Sequence, residues 1–156
     1  KLLRPLAEQG DAAAQTGLGF MYNLGQGVAQ DDLQAANWFR KAAGQGHAMA
    51  QSGLGFLYQS GQGVTQNFQE AVSWYRLAAD QGLAIAQAKL GALYQNGDGV
   101  PQNTLKAYLW LSLAAAEVPE AAQMLDDLAK HMSTQQISEA KAAADKCRVS
   151  VFKDCD

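Results

Sequence analysis

One stretch of about a quarter of this chain is written three times, and nothing else in it constrains the fold as much. Ala12, Ala14, Gln15, Leu18, Gly19, Tyr22, Gly25, Gly27, Val28 and Gln30 form one set. The same residue types return 36 positions later, from Ala48 to Gln66, and again from Ala84 to Gln102. The second half of the unit follows suit: Ala35, Trp38, Ala42 and Ala43 recur as Ala71, Trp74, Ala78 and Ala79, then as Ala107, Trp110, Ala114 and Ala115. A period of this length marks supersecondary units that cannot bury their apolar faces alone and stack on their neighbours.

Each unit reads as two helices. Ala14, Leu18, Met21 and Tyr22 stand at helical spacing in the first half, here called helix A. Gly25-Gln26-Gly27-Val28 stops it, because glycine tolerates the left-handed conformation of a helix end. Asp31, Asn67 and Asn103 are placed to cap helix B. Three residues on, Gln34 and Glu70 suit a capping box and Lys106 does not. Ala35, Trp38, Phe39 and Ala42 form the inner face of helix B, with Gly46 and Gly82 expected to end it in the first two copies. Gly19, Gly55 and Gly91 sit inside helix A, where glycine costs about 1 kcal/mol relative to alanine. Repeating that cost in three copies implies close packing, against a neighbouring helix or the indole of a Trp. No alternating run bounded by hairpin turns competes for a strand.

The ends depart from the pattern. Lys1 to Gly10 aligns with Asn37 to Gly46, so the chain is expected to begin inside a helix B and the full protein to extend further towards its N-terminus. Pro5 is tolerated there because it lies in the first turn. Past Ala115, Val118-Pro119 replaces the expected glycine and starts a new helix through Ala121, Met124, Leu125, Leu128 and Ala129. Ser133 or Thr134 caps another, running to about Cys147. These two read as a cap on the last repeat. The boundaries are then a partial repeat at 1–11, repeats at 12–47, 48–83 and 84–118, and a capping region at 119–156, all in one domain.

Composition removes some functions. Apolar residues make up 48% and charged residues 17%, the balance of a folded chain. The net charge is −3 and no basic stripe is present, so nucleic acid is not the expected partner. No apolar stretch is long enough to span a bilayer, so no membrane insertion is expected.

Candidate chemistry is sparse. His47 and His131 are each alone on their helices, and a surface or cap role is preferred over a catalytic or metal one. Asp126 and Asp127 are adjacent in a helix and diverge, so they read as a solvated face. The glycine pairs at Gly25 and Gly27, Gly61 and Gly63, and Gly97 and Gly99 follow helices and lack the Lys and Ser/Thr of a phosphate loop. Trp38, Trp74 and Trp110 read as core rather than as a stacking platform. No catalytic residue, metal site or cofactor is expected. Cys147 and Cys155 fit neither C-x-x-C nor a zinc cluster. A disulfide pinning the tail is the preferred reading, with two free thiols as the alternative. A disulfide would imply an oxidising compartment, periplasmic or secreted.

The pattern A-x-A-Q-x-x-L-G-x-x-Y-x-x-G-x-G-V, followed by A-x-x-W and A-A, resembles the Sel-one-like repeat family, a relative of the tetratricopeptide repeats. The resemblance covers Lys1 to about Glu117. It implies an all-α fold, a right-handed α/α superhelix with helix A on the concave side, and a role as adaptor or scaffold for other proteins. A cysteine-rich bacterial branch has been linked to β-lactam binding, but its disulfide in each repeat is missing here. A hydrolytic or β-lactam-binding protein and a structural spacer in a longer scaffold are the alternatives. Lys89, where Gly17 and Gly53 stand, and Val118, where Gly46 and Gly82 stand, depart from the pattern.

On a helix turning about 100° per residue, Thr16, Phe20 and Asn23 fall opposite Ala14, Leu18 and Tyr22. Their equivalents are Ser52, Phe56 and Gln59, then Ala88, Ala92 and Gln95. If the first side is the core, Thr16, Phe20, Asn23, Ser52, Phe56, Gln59 and Gln95 line the surface offered to a partner protein or peptide. Phe20 and Phe56, aromatics among small polar residues, suit a binding hot spot. Packing against an adjoining repeat is the other reading of both.

Overall fold

The computed structural model describes residues 2–156. Among these are nine helices and no strand: α1 (Leu3–Glu8), α2 (Ala12–Leu24), α3 (Asp32–Gly44), α4 (Ala48–Ser60), α5 (Phe68–Ala79), α6 (Ala84–Asn96), α7 (Thr104–Ala114), α8 (Pro119–Ala129) and α9 (Thr134–Val149). Helix A of the three repeats is α2, α4 and α6, and helix B is α3, α5 and α7. The chain packs as two compact units, Lys1–Trp74 and Tyr75–Asp156, with the boundary inside α5.

Local chemistry sets both ends of α2 and the C-terminal end of all three A helices. Asp11 caps α2 by accepting the Ala14 N–H at 2.7 Å. All three A helices stop at a left-handed glycine, Gly25 at φ 65°, Gly61 at 73° and Gly97 at 76°. The polypeptide then turns into helix B, whose cap residues accept from the third helical N–H as expected: Asp31 from Gln34 at 3.0 Å, Asn67 from Glu70 at 3.1 Å, Asn103 from Lys106 at 2.9 Å. The expected capping boxes at Gln34 and Glu70 do not form. The N–H that a box would satisfy is already given to helix A, from Asp31 to the Tyr22 carbonyl at 2.9 Å and from Asn67 to that of Tyr58 at 2.9 Å. Asn103 does the same with Tyr94 at 3.0 Å. A complete capping box does occur at Ser133 and Gln136, where α9 starts without such a neighbour.

Helix B ends slightly before the glycines expected to stop it. α3 closes at Gly44 and α5 at Ala79, while Gly46 (φ 86°) and Gly82 (φ 84°) shape the turn beyond.

In the first unit α2 packs on α1, α3 and α4, and α3 packs on α4. One cluster joins Ala35, Ala36, Phe39 and Ala42 of α3 to Ala50, Leu54 and Leu57 of α4. A second joins Trp38 to Ala7, Ala14 and Leu18. In the second unit α7 is the hub, packed on α6, α8 and α9. Its Ala107, Tyr108, Leu111 and Ala114 meet Ala121 and Leu128 of α8 and Ala140 of α9, so α8 and α9 cover repeat 3.

Gly19 and Gly91, inside helix A, accommodate an aromatic or aliphatic side chain of helix B, not the Trp indole. A β-carbon on Gly19 would stand 2.5 Å from the Phe39 ring, and one on Gly91 would stand 2.8 Å from Leu111 Cγ. Trp38 and Trp110 are buried and Trp74 half-buried, so the core reading of these rings stands. Lys41 lies 4.4 Å over the Trp38 ring, and Arg76 5.2 Å over that of Trp110.

The A-Q pair of each repeat has a shared task. Gln15 Nε2 donates to the Ala7 carbonyl at 3.0 Å, Gln51 to Ala43 at 3.4 Å and Gln87 to Ala79 at 3.3 Å. Each buried amide thus ties the start of one helix A to the end of the preceding helix B, as a second donor to a carbonyl that also accepts from the glycine of the turn, Gly10, Gly46 or Gly82.

Candidate functional site

In the first unit, the expected surface of helix A separates into residues turned inward and residues that reach solvent. Thr16 and Ser52 are buried, at 5% and 9% exposure. That corrects the expectation that their side chains face a partner. For Thr16 the cause is the packing of α4 on α2. The helical wheel assumed one buried side, whereas a helix in a stack has a neighbour on each flank. Phe20 is half-buried, its ring edge-on to Phe39 with centroids 4.9 Å apart. Asn23 is half-buried and donates to Asp32 Oδ1 at 3.1 Å and Gln62 Oε1 at 3.4 Å. The carbonyl of half-buried Gln59 accepts from Gln66 Nε2 at 2.8 Å. Phe56 remains exposed, at 40%.

Met49, at 41% exposure, was not singled out by the sequence. It precedes Phe56 by seven residues, two turns of helix, so the two side chains lie on one stripe of α4. Spacing alone could have revealed the pair.

In the second unit, Gln95 is half-buried. Its carbonyl accepts from Gln102 Nε2 at 2.8 Å, while its side-chain Oε1 is buried without a partner. The same helix α6 forms a groove with α8, lined by Ile85, Ala88 and Ala92 on one side and Val118, Ala121 and Met124 on the other. Ala92 holds the position of Phe56. Lys89 and Glu120 also border the groove.

His47 is not isolated. Its Nδ1 lies 2.9 Å from Thr16 Oγ1, and that hydroxyl is 2.7 Å from the Ala12 carbonyl. The carbonyl can only accept, so the hydroxyl proton goes to Ala12 and the imidazole Nδ1–H donates to Oγ1. A nucleophilic hydroxyl needs the opposite arrangement, its proton directed at the base. The pair therefore joins the start of α4 to α2. His131 is exposed at the end of α8. Among the described residues, no three His, Cys, Asp or Glu side chains gather as metal ligands. No described helix is long and apolar enough to cross a membrane.

Cys147 and Cys155 form a disulfide, which resolves the alternative left open by their spacing. The tail it closes folds back on its own unit. Phe152 packs on Gly82, where a β-carbon would stand 2.7 Å from the ring. Asp156 reaches Arg76 and Lys106.

The Sel1 repeat family model matches residues 12–47, 48–83 and 84–117. The chain belongs to the Sel1 repeat family. No curated protein matches it. A crystal structure of a Sel1 repeat protein from Oxalobacter formigenes is 39% identical, with a TM-score of 0.71, covering 80% of this chain and 95% of that one. The crystal structure of c5321, a protective antigen present in uropathogenic Escherichia coli strains and displaying an SLR fold, is 33% identical, with a TM-score of 0.86 over 94% of this chain. This Sel1 repeat chain spans 32% of the length of c5321. Sel1 repeat proteins mediate protein–protein interaction, and the family is one of scaffolds.

Proposed function

We propose that this chain is an adaptor that binds a segment of a partner protein on its helix A surface, the side that the family resemblance makes concave. The observation that carries this reading is the stripe of Met49 and Phe56. Two large apolar side chains two turns apart remain exposed on a helix that is buried from Ala50 to Gly55 between them. Exposed apolar side chains flanked by polar groups are what a partner helix or extended segment anchors on. In the second unit, the apolar groove between α6 and α8 supports the same use of helix A. Phe20, edge-on to Phe39, contributes one face of its ring at most. Asn23, Gln59 and Gln95 offer polar edges rather than anchors.

Affinity capture with the intact protein, compared with Phe56→Ala and Met49→Ala, tests the reading. Partners retained by the wild type should be lost from both variants while their thermal unfolding stays close to wild type. Retention of the same partners by both variants sinks it.

The disulfide supports a periplasmic or secreted location, because thiols stay reduced in the cytosol. A free-thiol assay on unreduced protein purified from its native source tests this. Two reactive thiols in native material would overturn it.

A further inference from the structure

In the second unit a carboxylate sits in a seat built by the repeat. Arg76 holds Asp156 with both terminal nitrogens, Nη1 at 3.0 Å and Nη2 at 3.2 Å, and Lys106 Nζ lies 3.5 Å away. Arg76 Nε is taken by Asp80, four residues on and just past the end of α5, at 2.8 Å. The guanidinium is thus bound on two edges, the bidentate geometry arginine suits best.

The repeat gives this seat a counterpart in the first unit. At 36 residues before Arg76, Tyr94, Asn103 and Lys106 stand Arg40, Tyr58, Asn67 and Glu70. Those four line one open notch together with Thr65 and Gln66.

Two differences decide what the notch can take. First, Arg40 has no carboxylate partner among the described residues. Arg4 pairs with Glu8 and Arg76 with Asp80, but Gly44 stands at that position after Arg40. Its one hydrogen bond is to Asn37 Oδ1, at 3.3 Å. Second, Glu70 replaces Lys106, so the second charge of the seat is reversed. Glu70 and Arg40 line the same notch without pairing with each other.

We propose that the Arg40–Glu70 notch docks a partner protein segment in which an acidic side chain lies beside a basic one, the acid on Arg40 and the base on Glu70. A lone carboxylate is drawn to Arg40 and repelled by Glu70, and a lone ammonium meets the reverse. Only a mixed pair gains from both. The occupant of the equivalent seat is itself a side chain in a mixed segment, Lys153-Asp154-Cys155-Asp156. Neither Met49 nor Phe56 lines the notch, and its use does not depend on their binding anything.

Two capped tripeptides serve as probes, acetyl-Asp-Gly-Lys-amide and acetyl-Asp-Gly-Asp-amide. Each is titrated at low salt into the nitrogen-15-labelled full chain, following Arg40 Nε and the backbone amides of 64–70. The lysine peptide is expected to shift these signals and to bind up to about fivefold tighter than the diacid, the range of an exposed ion pair. Glu70→Lys should reverse that order. Arg40→Gln should abolish both responses, and Arg40→Lys should weaken them without abolishing them. Both side chains are exposed, so the variants should keep wild-type melting curves. No shift at these positions in the wild type, or an order of affinities unchanged by Glu70→Lys, overturns the proposal.

Discussion

The Phe39 ring occupies the space that Gly19 leaves, so closely that a β-carbon on Gly19 would stand 2.5 Å from it. From the other side, a β-carbon on Gly53 would stand 2.9 Å from the same ring. Phe39 is therefore a wedge between helix A of its own repeat and helix A of the next, and its recess exists because both helices carry glycine there. On propensity alone Gly19→Ala would stabilise α2 by about 1 kcal/mol. Overpacking a core outweighs that, at roughly 1–3 kcal/mol, so the net change should be destabilising. Gly44→Ala is the control, since its β-carbon would meet nothing within 4 Å. Urea denaturation of the two variants separates the cases. A Gly19→Ala protein as stable as the control would mean the wedge is not tight.

The buried glutamines make a second prediction. Gln87→Met keeps the volume and removes the donor to the Ala79 carbonyl, which still accepts from the Gly82 N–H at 2.9 Å. The loss should be about 1 kcal/mol, the net worth of one hydrogen bond. Gln15→Met should cost more, because Gln15 Oε1 also accepts from Gln45 Nε2 at 2.8 Å. Denaturant midpoints of the two variants check this order, and equal losses would contradict it.

These two residues show what the sequence made legible. A residue that does the same task in every repeat is seen three times, so the helices, the caps at Asp31, Asn67 and Asn103 and the Phe39 side of helix B could be read directly. Contacts made between distant or single-copy residues leave no period. Thr16 meets His47 across 31 positions, and Arg76 meets Asp156 across 80. The failed capping boxes have the same origin, since the carbonyls of Tyr22 and Tyr58 compete for the cap N–H from the previous helix. Of the expected binding surface, Phe56 lies exposed, while Thr16 and Ser52 are buried, Thr16 because the wheel ignores α4 on the second flank of α2.

A pH effect follows from the tail. Hydrogen bonding from Arg76 holds the Asp156 carboxyl below its usual range, against a smaller opposing effect of burial. A carboxyl lowered by folding stabilises the folded state above its unfolded pKa of about 3.9. That contribution is lost as pH falls through the lower folded value. The side chain is 69% exposed, so solvent screening keeps the contribution at about 1 kcal/mol or less. Asp156→Asn should lower the urea midpoint slightly near neutral pH and have no effect once the Asp156 carboxyl is protonated in both the folded and the unfolded state. A deficit that persists unchanged into strong acid would show that the ion pair is not its source.

The disulfide closes a loop with a sequence separation of 8. In the chain-entropy model so short a loop contributes about 2.5 kcal/mol, by restricting the unfolded chain. Here the bridge also retains contacts in the folded state. Released from Cys147, the segment after Ser150 would be held by the Phe152 ring on Gly82, the hydrogen bonds from the Phe152 N–H to the Cys147 carbonyl and from the Asp154 N–H to Ser150 Oγ, both at 2.9 Å, the largely exposed pairs of Asp156 and the exposed Lys146–Asp154 pair at 2.7 Å. Cys155→Ser should therefore lower the denaturation midpoint and also detach the tail, visible as loss of the cross-relaxation between the Phe152 ring and the Gly82 α-protons. Gly82→Ala separates the two effects. It crowds Phe152 and strains the turn at φ 84° with the bridge intact, so it should lower stability and displace the ring without releasing the tail. If Cys155→Ser leaves the ring on Gly82, the noncovalent contacts hold the tail by themselves and the bridge acts on the unfolded chain alone.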